Sequence, residues 1–117
     1  MTLIKKSEVR EVKGIPAKQK LRIEDFLQGA IYCWCKNKPK EWFSMRDLMG
    51  AENYYWDGTP LFSLFQKHKD LGKKDKDAIA AAGKDSGWIL KKVIEEDERE
   101  FETKEEEFIR KYRWMKR

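Results

Sequence analysis

The segment DAIAAAGKDSGWILKKVIEED, residues 77–97, decides how the chain folds. Asp77 can accept backbone N–H groups at the start of a helix that runs through small residues to Ala82. Gly83, free of the Cβ penalty for left-handed backbone, breaks that helix. Asp85 or Ser86 then caps a second helix over about 85–95, which turns Ile89, Leu90 and Val93 inward. Lys84, Ser86, Lys91 and Lys92 fall on the outward side of that helix, opposite Ile89 and Val93.

Upstream, Ile23, Phe26, Leu27, Ala30, Ile31 and Trp34 recur at i, i+3, i+4, i+7, i+8 and i+11, a complete apolar stripe of an amphipathic helix. Glu24 and Asp25 fit its first turn, Lys36 its last, and Asn37 with Pro39 ends it. Trp42-Phe43-Ser44 reads as a brief strand. Ser44 and Asp47 then form a capping box for a short helix through Met49, stopped by Gly50. After a loop over 51–60, Thr59 and Pro60 start a helix whose face is Leu61, Leu64, Phe65 and His68, ending at Gly72. Residues 73–77, KKDKD, connect it to the segment above. Residues 1–21 lack a sustained period, contain Gly14 and Pro16, and read as a flexible basic arm ahead of a single domain at 22–117.

Downstream, residues 97–115 have two readings. Phe108, Arg110, Tyr112 and Trp114 alternate with Ile109, Lys111, Arg113 and Met115, as the two sides of a strand do. Against this, Ile94, Phe101, Phe108 and Met115 recur every seven residues, but Asp97, Lys104 and Lys111 would spoil the helical seam. The alternation favours a hairpin with Lys104 near its tip and Arg110, Lys111 and Arg113 on the return strand.

A helix of small residues, a glycine at the turn and a second helix with an apolar inner face resemble the helix-turn-helix of DNA-binding regulators. The hairpin that follows resembles the wing of the winged-helix group. Two positions depart from that pattern: Lys84 stands where an apolar residue is usual, and Ile79 where alanine is usual. The resemblance implies a mainly helical α+β domain, winged-helix-like, with three to four helices, a C-terminal β-hairpin and an inserted helix at 60–70. It also implies DNA as the partner, met by Lys84, Ser86, Lys91 and Lys92 on the recognition helix and by Lys104, Arg110 and Arg113 on the wing.

Charge supports that partner unevenly. The net charge is +5, but residues 95–107 hold nine acids against Arg99 and Lys104, while 1–94 carry 19 basic and 12 acidic side chains. Lys5, Lys6, Lys13, Lys18 and Lys20 would give the arm salt-sensitive affinity for phosphate. An acidic wing would repel phosphate, and this favours the alternative: a winged-helix-like protein-interaction module using 95–107 and the aromatic loop Tyr54, Tyr55 and Trp56.

Other classes find little support. No run approaches the roughly 20 apolar residues of a membrane span, and the N-terminus lacks a secretory pattern. Cys33 and Cys35, two apart on a helix, point to different faces and suit reduced thiols, as expected of a cytoplasmic protein. With His68 they make three potential zinc ligands in the wrong spacing, so no metal or other cofactor is expected. No phosphate loop or nucleophile elbow occurs, and no enzyme is expected.

Overall fold

The computed structural model describes residues 10–50 and 56–115. Among these, four helices precede a two-stranded antiparallel hairpin: α1 (Ala17–Asn37), α2 (Met45–Leu48), α3 (Phe62–Asp70), α4 (Asp75–Glu96), β1 (Phe101–Glu106) and β2 (Ile109–Trp114). The class is α+β and mainly helical, as the periodicities indicate.

The apolar stripe of α1 buries Ile23, Leu27, Ile31 and Cys35. The helix begins at Ala17 behind Pro16, so Glu24 and Asp25 lie beyond its first turn and residues 17–21 do not belong to an arm. The preceding residues also rest on the body: Val12 is buried, and Lys67 Nζ donates to the Lys13 carbonyl at 2.6 Å. Lys5 and Lys6 lie outside the described residues. The capping box of α2 is complete, with Asp47 N–H donating to Ser44 Oγ at 3.2 Å and Ser44 N–H to Asp47 Oδ2 at 2.9 Å. Thr59 Oγ1 accepts from Leu61 N–H one turn before α3.

The chief correction concerns Gly83, which lies inside a single 22-residue helix. Ala78, Ala82, Ser86, Ile89, Leu90, Val93 and Ile94 keep one continuous buried stripe through it. An interior glycine costs about 1 kcal/mol relative to alanine, whereas each buried aliphatic side chain on that stripe contributes roughly 1.5–3 kcal/mol. Burial of the stripe decides the outcome. Asp85 caps nothing; its carboxylate takes Lys67 Nζ at 2.7 Å and His68 Nε2 at 2.8 Å, fastening α3 to α4. Lys73 Nζ donates to His68 Nδ1 at 3.0 Å, so the imidazole proton sits on Nε2, facing Asp85.

The strand reading holds for 101–114. Asp97 turns the chain out of α4, accepting from Gln28 Nε2 at 2.7 Å and from Arg99 N–H at 2.8 Å. Phe101 pairs with Trp114 and Glu106 with Ile109, so Glu107 and Phe108 form the tip and Lys104 sits mid-strand opposite Lys111. Phe43 supplies the link to the helices. It exchanges both backbone hydrogen bonds with Tyr112, each 2.8 Å, and its ring lies 5.7 Å from Trp34, 6.2 Å from Phe101 and 5.9 Å from Tyr112.

Phe43→Ala removes a fully buried ring at that junction and is expected to cost about 3–5 kcal/mol in urea unfolding. A smaller loss than from Leu27→Ala would show that the hairpin does not hang on this residue. Both cysteines are free, Cys33 exposed and Cys35 buried. Burial pushes the Cys35 thiol pKa up against the opposing hydrogen bond from Arg99. At pH 8 a thiol-titrating disulfide reagent should therefore modify Cys33 at once and Cys35 only in denaturant; two fast thiols would contradict the packing of α1.

Candidate functional site

A continuous α4 has a second face, opposite its buried stripe. Ala80, Gly83, Lys84, Gly87, Trp88 and Lys91 stand at i, i+3, i+4, i+7, i+8 and i+11. They line one wall of a groove of about 630 Å³, whose other walls are the start of α2 and the hairpin. The helix tilts into the protein along this face: Ala80 and Lys84 are exposed, Gly87 and Trp88 half-buried, and Lys91 is 8% exposed. Small side chains keep its first half thin, and no neighbour approaches the point where a Gly87 Cβ would stand.

Among the described residues, four cations border the groove, Arg46, Lys84, Lys91 and Arg110, against one acid, Glu105. Arg110 is held by Thr103 Oγ1 at 3.3 Å and Glu105 Oε1 at 3.4 Å. Lys91 Nζ lies 5.1 Å from the centre of the Trp88 ring, and Arg10 lies over the same ring at 5.1 Å. Arg46 and Lys84 are exposed and have no hydrogen bond or ion pair from their side chains among the described residues. Their charges are therefore available to a ligand without first breaking an internal pair.

Of the residues expected at a binding surface, Lys84, Lys91 and Arg110 meet here. The others do not. Ser86 is fully buried and donates to the Gly83 carbonyl at 2.8 Å, because the unbroken helix turns it inward. Lys92 points to α1, where its bond to Glu24 at 2.9 Å raises its pKa above the ordinary lysine value. Lys104 and Arg113 occupy the opposite face of the hairpin from Arg110. There both lie over the Trp42 ring, 4.3 and 4.6 Å from its centre. Arg113 also donates from Nε and Nη2 to Glu102 Oε1, at 3.0 and 2.8 Å.

Three of the nine acids at 95–107 are matched within the hairpin. Glu102 pairs with Arg113, Glu105 with Arg110, and Glu106 with Lys111 and Lys104. The Lys111 bond lowers the Glu106 carboxyl pKa and raises that of Lys111, although both are open to solvent. Of the aromatic loop, Trp56 is buried, and Tyr54 and Tyr55 lie outside the described residues. His68 stands apart from the groove, in the contact between α3 and α4. No three His, Cys, Asp or Glu side chains gather as metal ligands among the described residues, and no described helix is long and apolar enough to cross a membrane.

Sequence reasoning misses Arg46, Gly87 and Trp88 as site residues. The spacing 80, 83, 84, 87, 88, 91 carries the signal, but only for a helix read through Gly83. Searches of family models, of curated proteins and of solved structures find no match to this chain.

Gly87→Ala adds a methyl group into open space within a helix. It should stabilise the fold by about 0.5–1 kcal/mol in urea unfolding. A loss of stability would show that the groove wall is closed at this point.

Proposed function

We propose that this chain binds duplex DNA as a winged-helix-type domain. The first half of the groove-facing side of α4 enters the major groove, and one sugar-phosphate strand runs between α4 and the hairpin. The observation that carries this reading is the convergence of Arg46, Lys84, Lys91 and Arg110 on a groove walled by the thin face of α4. A helix with its side chains is about 10–12 Å across and the major groove about 12 Å wide. Ala80, Gly83 and Gly87 let the backbone of α4 approach closely, leaving Lys84 to reach phosphate or a base edge.

The order of elements supports the same reading. Helix α1, the strand residue Phe43, α2, α4 and the hairpin follow one another as in a winged helix, with Phe43 paired to the second hairpin strand. Helix α3 is then the insertion. The recognition face shifts from the expected 85–95 to 80–91, led by Lys84 rather than by Ser86 and Lys92. Cross-strand pairing within the hairpin removes most of the repulsion that its acids would exert on phosphate. The role proposed is binding, without catalysis or cofactor.

Fluorescence anisotropy of a labelled random duplex tests the proposal. Binding should be micromolar at 50 mM salt and fall steeply by 200 mM. Arg46→Glu with Lys84→Glu should weaken it more than tenfold and lower the slope of log affinity on log salt by about 0.9 for every phosphate no longer neutralised. Lys36→Gln, outside the groove, should change little, and Gly87→Ala should weaken binding while the fold becomes more stable. Absence of binding at 50 mM salt sinks the reading.

A further inference from the structure

The tip of the hairpin is built from residues that fit its backbone poorly. A two-residue turn between antiparallel strands places both central residues in the left-handed region, which Asn-Gly adopts most easily. Here the pair is Glu107, at φ 53°, and Phe108, at φ 65°. A bulky aromatic residue is strained in that conformation. Nothing among the described residues offsets the strain, because Phe108 is 98% exposed. The hairpin holds a phenylalanine side chain out in water, at the position where glycine would be easiest.

The surroundings give that side chain a direction. Phe108 borders the same groove as Arg46, Lys84 and Arg110. Behind the tip, Glu105 is paired with Arg110 at 3.4 Å and Glu106 with Lys111 at 2.8 Å, so the shaft of the hairpin is close to neutral. Glu107 alone at the tip makes no hydrogen bond or ion pair among the described residues. In the DNA-binding reading above, with α4 in the major groove and a phosphate strand in the groove beside it, the hairpin tip would face the neighbouring minor groove. Apolar side chains presented there part adjacent base pairs and kink the duplex. Pyrimidine–purine steps yield most readily to that deformation.

We propose that Phe108 is a wedge that enters the minor groove at a pyrimidine–purine step and unstacks it, bending the DNA bound by the groove. This rests on the DNA-binding reading above and adds to it a site preference set by deformability. Neither face of the hairpin needs to read a base edge for that preference to arise. Glu107, carried to the same place, opposes the approach and sets a limit on affinity.

The test uses the full chain and duplexes carrying 2-aminopurine at a central TA step or within a GC-rich run, with end-labelled fluorophores reporting the bend. Saturating wild-type protein should raise 2-aminopurine emission several-fold at the TA step, shorten the end-to-end distance, and leave the GC-rich probe nearly unchanged. Phe108→Gly relieves the turn, so it should raise the unfolding midpoint yet abolish both signals, with the salt dependence of binding retained. Phe108→Leu should keep part of the emission change, and Glu107→Gln should tighten binding.

Wild-type binding with neither unstacking nor bending overturns the wedge and leaves the DNA reading intact. Equal unstacking by Phe108→Gly overturns it too, as does a fall in stability for that variant, which would make Phe108 a packing residue. Failure of wild type to bind any duplex at 50 mM salt removes both readings. The exposed ring is then an anchor for a protein.

Discussion

The position of the hairpin against the helices depends on one residue. Among the described residues, Phe43 is the sole bridge between the segment linking α1 to α2 and the β-structure, and it both donates to and accepts from Tyr112. Its ring is fully buried against Trp34, Phe101 and Tyr112, which belong to α1 and to the two strands. An isolated two-stranded hairpin is marginally stable at best in water. The aromatic junction therefore gives the hairpin a fixed place, and with it the second wall of the groove. Burial also drives the Tyr112 hydroxyl pKa far above its ordinary value, keeping that hydroxyl neutral inside the junction.

Much of this is legible in the sequence because local and tertiary preferences agree. The α1 stripe, the Ser44–Asp47 box and the alternation over 108–115 each carry a period or a cap that packing reinforces. Gly83 misleads because a glycine is a weak local signal. The buried stripe from Ala78 to Ile94 outweighs it, and a stripe is recognised only once the helix is taken as continuous. Ser86 then turns inward and Lys92 toward α1, since their outward placement assumes a helix starting beside them. Lys104 reads as a tip residue because neither Glu107 nor Phe108 signals a turn by residue type. Pairing register, not composition, sets that turn.

Charge is legible in amount but not in arrangement. The run of acids at 95–107 suggests a repulsive wing, yet strand pairing sets most of its hairpin members beside cations of β2. Asp97 serves a different purpose: its carboxylate is nearly inaccessible and fixes the exit from α4. Such exposed cross-strand pairs as those of the hairpin contribute little stability each. Their effect is to cancel the field of the hairpin, so that Arg46 and Lys84, unpaired among the described residues, dominate the groove.

Several unfavourable choices in this structure gather on one face. Gly83 and Gly87 weaken α4, Lys91 brings a cation into a nearly buried position over Trp88, and Glu107 with Phe108 strains the turn. All but Glu107 line the same groove. Away from it, several contacts between elements are well satisfied, as in Lys92 with Glu24, His68 and Lys67 with Asp85, and Gln28 with Asp97, while Trp56 Nε1 and Glu95 Oε2 are buried without a hydrogen-bond partner among the described residues. Selection for stability alone would remove the helical glycines and replace the aromatic turn residue with asparagine or glycine. Such costs gathered on one face, beside the exposed Arg46 and Lys84, support the binding reading proposed for the groove. Under the proposed binding of DNA, the same arrangement would give an order of events: cations draw the polyanion in, the thin helix admits it closely, and the strained tip acts last.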